Sequence, residues 1–197
     1  MSGGKATPVV RLPVGDPVLV KRILDLGVQS LVIPMINTAA EAEAMVRATR
    51  YPPDGVRGVG AAMARAANFG EITDIVTTAN REICLFVQAE SREAIGNIEA
   101  IAAVDGVDGI FVGPADLAAD MGLPGKPGAP EVEAVIHDAI GRITAAGKTA
   151  GIIAFDPAKC AEWVRAGANF VAIGGDVAIL ARGIRAAAAS ANEMRDL

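Results

Sequence analysis

The stretch Gly109-Ile-Phe-Val-Gly-Pro-Ala-Asp-Leu117 decides the fold, because it places a short apolar run directly before the start of a helix. Residues 109–112 are typical of a strand that is buried on both faces. A strand followed at once by a helix is the repeating unit of a parallel sheet, in which each strand reaches the next through a crossover connection. The stretch therefore predicts one βα unit.

The same alternation of strand and helix extends over the whole chain. Strand-like runs occur at residues 9–10, 31–33, 83–87, 109–112, 151–153 and 170–173. Asp16-Pro17 predicts a helix with proline at its first position, and Thr38-Ala-Ala-Glu41 predicts a capping box. The remaining segments predict a long loop at residues 55–70, a helix at residues 71–79, a surface loop at residues 122–130 and a helix from residue 179 onward.

Composition limits the class of protein. The chain has 197 residues, of which 52% are hydrophobic and 4% aromatic, and this predicts a single α/β domain over residues 1–197. A formal charge of -5 gives no basic surface for nucleic acid, and the apolar runs are much shorter than the roughly 20 residues that cross a bilayer. We expect a cytoplasmic protein without nucleic-acid or membrane partners, in which Cys84 and Cys160 are buried thiols in a reducing compartment rather than a disulfide or metal ligands.

Six βα units fit two architectures. One is an open, doubly wound sheet, and the other is part of an eight-stranded barrel, which usually needs about 250 residues. Length favours the open sheet. Against it, Arg11-Leu-Pro-Val-Gly-Asp16 stands after the first strand, where a dinucleotide-binding sheet would carry G-x-G-x-x-G. The polar residues at the strand ends are therefore more informative than length.

In either architecture, the residues just beyond the carboxyl ends of the strands converge on the face where ligands bind. Arg11, Gln88, Glu90 and Asp116 occupy such positions. Glu90 and Asp116 follow consecutive strands, about 4.8 Å apart in a sheet, so their carboxylates could bind one Mg²⁺ or Mn²⁺ ion and leave positions for a chelating 2-oxo acid. Arg11 could stabilise an enolate oxyanion, and the N–H groups after Gly113 could bind the substrate carboxylate.

These residues also have structural interpretations. Asp116 is as consistent with a helix N-cap as with a metal ligand, and Glu90 is equally consistent with a solvated acid in a first helical turn. His137, the only histidine, lies among charged residues and predicts a solvated or salt-bridged side chain on a helix surface rather than a catalytic one. Arg57-Gly-Val-Gly60 is more typical of a turn than of a phosphate-binding loop.

Six motifs in order resemble the HpcH/HpaI aldolase family. They are Pro8-Val-Val-Arg11, Val32-Ile-Pro-Met35, Arg50-Tyr-Pro-Pro53, Arg57-Gly-Val-Gly60, Val87-Gln-Ala-Glu90 and Gly113-Pro-Ala-Asp-Leu117. The resemblance implies a (β/α)₈ TIM barrel, a class II aldolase that cleaves 4-hydroxy-2-oxo acids to pyruvate and an aldehyde, and a homo-oligomer, typically a hexamer. The divalent metal would be Mg²⁺ or Mn²⁺, with Co²⁺ as a third candidate.

The resemblance also implies roles for individual residues. Glu90 and Asp116 look like the metal ligands, and Gln88, Ala115 and Asp116 look like contacts to the pyruvate moiety. Arg11 is similar to the residue that stabilises the enolate. Asp25 is similar to the acid proposed to raise the basicity of the family's catalytic histidine, although its own context, Leu24-Asp25-Leu26-Gly27, indicates the C-terminus of a helix.

The family has two further βα units before the one that contains Val9, and the second ends in an Asp-Gly-Glu-His-type motif with the general base. Neither unit is among the 197 residues. We therefore expect six strands of an eight-stranded barrel with two unpaired edges, either because the sequence is truncated or because a partner chain completes the barrel.

Three functions are open at this point. The first is metal-dependent aldol cleavage, for which the absent histidine favours oxaloacetate decarboxylation as the surviving activity, because that reaction removes no hydroxyl proton. The second is a non-catalytic remnant that binds metal and pyruvate or serves as an assembly subunit. The third is an enzyme for acyl-CoA esters, like the citrate lyase β-type proteins, and it is disfavoured because no basic pocket for the CoA phosphates is evident.

Overall fold

A computed structural model describes residues 5–195 and contains one six-stranded parallel sheet, with helices that pack on its outer face and a last helix whose side chains are largely exposed. The strands are β1 (Val9–Arg11), β2 (Ser30–Ile33), β3 (Cys84–Ala89), β4 (Gly109–Val112), β5 (Thr149–Ile153) and β6 (Phe170–Ala172). The helices are α1 (Pro17–Asp25), α2 (Ala39–Thr49), α3 (Ile75–Thr78), α4 (Arg92–Gly96), α5 (Ile98–Ala102), α6 (Pro114–Asp120), α7 (Pro130–Ala145), α8 (Pro157–Ala166) and α9 (Asp176–Arg195). Three 3₁₀ segments, Ala61–Met63, Arg65–Gly70 and Ala79–Arg81, flank α3.

The strand order decides between the two predicted architectures. The order is β1-β2-β3-β4-β5-β6, and every pair of neighbours is parallel, whereas a doubly wound sheet reverses its order at a switch point. The rings of Phe170 in β6 and Phe86 in β3 have centroids 4.9 Å apart, although three strand spacings in a flat sheet amount to roughly 14 Å. The sheet therefore curls into an incomplete barrel, and the predicted barrel-type fold is confirmed.

Side chains alternate between the two faces of the curled sheet, as the period of two in a strand requires. In β3, Leu85, Val87 and Ala89 point outward into the main core, which they share with the helices. Phe86 points inward, where it joins a smaller apolar cluster with Val32 and Phe111. Because Gln88 and Glu90 follow Phe86 at the same spacing, they lie on the inner face at the carboxyl end of β3.

The predicted helix starts are confirmed. Asp16 caps α1 by accepting from the N–H groups of Val18 and Leu19, and Thr38 and Glu41 form the predicted capping box of α2. The surface loop at residues 122–130 is also present.

The helix predicted at residues 71–79 is wrong, because only the four residues of α3 form a helix there. Its β-branched residues disfavour a longer helix, and the hydroxyls of Thr77 and Thr78 donate back to the carbonyl of Asp74, which competes with helical hydrogen bonds.

The state of the two cysteines and the character of the helices bear on the expectations from composition. Cys84, in β3, and Cys160, in α8, are free thiols, as expected, but both are half-buried rather than buried. None of the helices within residues 5–195 combines the length and the apolar character that a bilayer crossing requires.

Candidate active site

The carboxyl ends of the strands open into a cleft of about 420 Å³ inside the curled sheet. Five of the six residues proposed from the sequence line this cleft, namely Arg11, Gln88, Glu90, Ala115 and Asp116. The rest of the lining is mainly apolar and includes Val9, Val32, Phe111, Ile153, Phe170 and Ala172. The cleft therefore combines a small set of charged and polar groups with apolar walls, as small-molecule sites commonly do.

A chain of hydrogen bonds connects three of these residues. Arg11 Nε donates to Gln88 Oε1 over 2.8 Å, and Gln88 Nε2 donates to Glu90 Oε1 over 2.8 Å. The second carboxylate oxygen, Glu90 Oε2, accepts from the backbone N–H of Met35 at 3.0 Å. Because a carboxylate oxygen can accept two bonds, each oxygen of Glu90 keeps one acceptor position for a ligand.

Burial sets the electrostatics of Glu90. Its side chain is only 3% exposed, so it is not the solvated first-turn acid considered above, and the acid in the first turn of α4 is Glu93. Burial raises the pKa of the Glu90 carboxyl above its ordinary value, and the charge of Asp116 raises it further, while the Met35 N–H and Arg11 act in the opposite direction. A carboxylate whose charge is disfavoured by burial and by a neighbouring acid is a group that a bound cation would stabilise.

Asp116 lies in the first turn of α6 and is exposed to the cleft. It is not the N-cap of that helix, because Gly113 occupies the N-cap position and supplies no side-chain acceptor. Asp116 and Glu90 together offer carboxylate oxygens, the ligands that Mg²⁺ and Mn²⁺ prefer. Within residues 5–195 no cluster of three His, Cys, Asp or Glu side chains is found.

Comparison with known proteins assigns the family. The sequence pattern described as HpcH/HpaI aldolase/citrate lyase matches residues 2–182. The chain belongs to this family. Similar family members include a hydroxypyruvate/pyruvate aldolase from Roseovarius nubinhibens, 52% identical over 94% of this chain and 72% of its own length. A 4-hydroxy-2-oxo-heptane-1,7-dioate aldolase from Salmonella paratyphi B is 52% identical over 92% of this chain and 69% of its own length.

Solved structures agree with this assignment. An HpcH/HpaI aldolase/citrate lyase family protein from Burkholderia cenocepacia matches with a TM-score of 0.90 and 42% identity, over 94% of this chain and 74% of that one. An HpcH/HpaI aldolase from Desulfitobacterium hafniense matches with a TM-score of 0.83 and 32% identity. The predicted family is confirmed, and membership places the chain among aldolases, which are carbon–carbon lyases.

Asp25 is the one proposed site residue that the fold does not bring to the cleft. It is the last residue of α1, as its sequence context indicated, and its carboxylate accepts from Arg57 Nη2 at 2.9 Å. Arg57 is only 2% exposed and stacks on the ring of Tyr51, at 4.4 Å from its centroid. A catalytic role for Asp25 inside its own chain's cleft therefore has no geometric support, and the role implied by the HpcH/HpaI resemblance stays a prediction.

His137 lies outside the cleft, as expected. Its Nε2 is 3.1 Å from Glu162 Oε1, and its ring packs against Trp163 with centroids 4.7 Å apart. His137 is therefore a helix-surface side chain in contact with an acid, and the expectation of a surface position is confirmed.

Two contributors to the site were missed from the sequence. Met35 holds Glu90 through a backbone N–H, which leaves no trace in the residue type. Gly113 makes room for the Glu90 carboxylate, since a Cβ at this position would lie 2.7 Å from Glu90 Cγ. The sequence signal for Gly113 was a glycine that stands directly after a strand and before Pro114.

Proposed function

We propose that this HpcH/HpaI family member is a divalent-metal-dependent pyruvate aldolase that cleaves 4-hydroxy-2-oxo acids to pyruvate and an aldehyde. The observation that carries the proposal is the linked set Arg11, Gln88 and Glu90 beside Asp116 in one cleft. The names of the relatives, a hydroxypyruvate/pyruvate aldolase and a 4-hydroxy-2-oxo-heptane-1,7-dioate aldolase, support pyruvate as one product.

Glu90 and Asp116 would hold the cation, which we propose to be Mg²⁺ or Mn²⁺, with Co²⁺ as a third candidate. The bound cation would act as a Lewis acid on the keto group of the 2-oxo acid. Gln88 keeps the Glu90 carboxylate oriented for this purpose through its Nε2 donor. Ala115 and Asp116 would contact the substrate carboxylate at the start of α6.

Arg11 would stabilise the enolate. Its Nε is used by Gln88, so the guanidinium is fixed in the cleft while its two terminal nitrogens stay available for the oxyanion that develops on the keto oxygen. An arginine keeps its charge at any working pH, so the stabilisation would not depend on protonation of this residue. The apolar side chains of Phe111, Ile153 and Phe170 would limit water near the reacting carbons.

The proposed reaction breaks the C3–C4 bond of the substrate. The electron pair of this bond becomes the C2–C3 double bond of the pyruvate enolate, the C4 hydroxyl proton leaves to a base, and C3 then takes a proton to give pyruvate. Among the cleft residues that the structure describes there is no histidine to serve as that base. Decarboxylation of oxaloacetate forms the same enolate with loss of CO₂ and needs no such base, so we propose that it is the faster of the two reactions in this chain.

The test is to assay both reactions with Mn²⁺ on the purified chain and on Glu90→Gln and Asp116→Asn variants. We expect decarboxylation at a higher rate than aldol cleavage, and loss of both in the two variants. Glu162→Gln is the matched control, because Glu162 is an acid bound to Lys159 and His137 outside the cleft. Rapid aldol cleavage without measurable decarboxylation would refute the proposed order of activities, and unchanged rates in both acid variants would refute the metal site.

A non-catalytic role is the second candidate, because no histidine lines the described cleft and because β1 and β6 are edge strands within residues 5–195. In this role the chain would bind metal and pyruvate, or it would act as a subunit of a homo-oligomer. The family resemblance implies that this homo-oligomer is a hexamer. Calorimetry that detects Mn²⁺ and pyruvate binding without turnover would support it. Sedimentation measures the proposed self-association separately.

A further inference from the structure

The segment after β2 contains an unusual backbone conformation. Met35 has a φ of 56°, a left-handed value that side chains other than glycine, asparagine and aspartate rarely adopt. Its side chain is 53% exposed and lines a shallow surface hollow with Gly15, Ile36, Glu41 and Met45, apart from the cleft that contains Glu90. The side chain itself therefore gives no reason for the strained backbone.

The backbone of the segment does reach the cleft. The N–H of Met35 donates to Glu90 Oε2 at 3.0 Å, and the next N–H, of Ile36, donates to the carbonyl of Gln88 at 3.1 Å. Pro34, which precedes them, has no N–H to offer. Two consecutive N–H groups of the turn thus donate to the carboxyl end of β3. Ile36 donates to its backbone, and Met35 donates to the side chain of Glu90, the proposed metal ligand.

We propose that Met35 is a positioning residue of the metal site, and that its left-handed backbone holds the Glu90 carboxylate in the orientation that binds a divalent cation together with Asp116. This inference rests on the proposed function. Glu90 is fixed from two sides, by Gln88 Nε2 on Oε1 and by Met35 N–H on Oε2. With one of the two donors displaced, the carboxylate turns about its terminal bond, and loss of such outer contacts typically weakens metal binding about 10- to 100-fold.

The proposal concerns the backbone conformation, so it can be tested by residues that differ in their tolerance of positive φ. Glycine and asparagine accept the left-handed region, whereas β-branched residues do not. We expect Met35→Gly and Met35→Asn to bind Mn²⁺ within about threefold of the unmodified chain, and Met35→Val to bind it at least about tenfold more weakly, as measured by calorimetry. The matched control is Met63→Val, because Met63 is 85% exposed and lies in a 3₁₀ segment with ordinary backbone angles.

A second measurement needs no metal and shows from the whole spectrum that each variant is folded. The amide signal of Met35 in an NMR spectrum should shift in Glu90→Gln and remain in place in Asp116→Asn, because only Glu90 accepts its hydrogen bond. Unchanged Mn²⁺ affinity in a folded Met35→Val variant would overturn the positioning role, as would an equal loss in Met35→Gly. If the unmodified chain bound no Mn²⁺ while the amide shift occurred, the proposed function would fail and the hydrogen bond would stand without a metal role.

Discussion

Gly113 packs against the carboxylate of Glu90 so closely that a Cβ at residue 113 would lie 2.7 Å from Glu90 Cγ. Gly113→Ala should therefore displace the buried carboxylate from its bonds with Gln88 and Met35. We expect a loss of Mn²⁺ affinity of about 10- to 100-fold, the range typical for disturbed metal ligands, with a corresponding loss of activity. Calorimetry and steady-state assays measure the two effects.

Gly141→Ala is the control for this substitution. Gly141 lies within α7, where a Cβ would meet nothing within 4 Å, so alanine should stabilise the helix by roughly 0.5–1 kcal/mol and leave metal binding intact. Equal Mn²⁺ affinities in Gly113→Ala and Gly141→Ala would show that the close approach to Glu90 has no role in binding.

Gln88 forms hydrogen bonds with both Arg11 and Glu90, so removing its amide group should disturb the positions of both side chains. Gln88→Met keeps the approximate size of a side chain that is 6% exposed, but it leaves the buried Glu90 Oε1 without its donor and frees Arg11 Nε. We expect the free energy of unfolding to fall by about 1–3 kcal/mol, the cost of an unsatisfied buried polar group, and kcat to fall more than KM rises. Urea titration and steady-state kinetics test these two statements.

A double-mutant cycle gives the sharper result for the same contact. If Gln88 orients Arg11, the effects of Gln88→Met and Arg11→Lys on kcat/KM should be less than additive, since either change breaks the same hydrogen bond. Additive effects would mean that the two residues act independently.

The carboxyl end of β3 shows how much of the site could be predicted from the sequence. The rule that ligands bind at the carboxyl ends of parallel strands was enough to predict that Arg11, Gln88, Glu90 and Asp116 meet in one cleft. The βα order likewise predicted six parallel strands, although only strand order and curvature distinguished an incomplete barrel from a doubly wound sheet.

What could not be predicted depends on tertiary context or on the backbone. The contribution of Met35 is an N–H that every residue except proline possesses, and only its φ and its direction make it specific. The burial of Arg57 beneath Asp25 and beside Tyr51 depends on how residues 55–70 fold back on α1, and the sequence there indicated a turn. α3 is short because the hydroxyls of Thr77 and Thr78 compete with helical hydrogen bonds. The spacing of apolar residues in the sequence does not predict this competition.

The small apolar cluster inside the curled sheet provides a prediction about stability. Phe86 lies against Gly109 of the neighbouring strand, where a Cβ would come within 2.7 Å of Phe86 Cδ1. Gly109→Ala should force the ring into its neighbour Phe170 and lower the free energy of unfolding by about 1–3 kcal/mol, as overpacking usually does. Urea denaturation measures the loss. The same Cβ would also lie 2.6 Å from the Thr149 carbonyl oxygen, a backbone contact that no side-chain change relieves. Phe86→Leu should therefore cost less stability in the Gly109→Ala background than in the unmodified chain, and an equal cost in both backgrounds would contradict a clash with the ring.

The ion pair between α5 and α7 predicts a pH dependence of stability. Arg142 donates from Nε and Nη2 to the two oxygens of Glu99, each over 2.6 Å, and this hydrogen bonding lowers the pKa of the Glu99 carboxyl from 4.5 to about 2. Between these two values the unfolded chain binds a proton at Glu99 that the folded chain does not, so stability falls as the pH falls through this window. The contribution should be fully present above pH 4.5 and lost near pH 2.

Glu99→Gln removes this dependence, so the melting temperature of the unmodified chain should exceed that of the variant by a constant amount from pH 7 to about pH 5 and by a shrinking amount below. Glu43→Gln is the control, because Glu43 is a carboxylate on the exposed side of α2 that forms no ion pair within residues 5–195. The pair is solvated and should be screened by salt, so the difference should also shrink in 1 M NaCl, where the Debye length is about 3 Å. A difference that stayed constant down to pH 3 would mean that Glu99 contributes through its shape rather than through its charge.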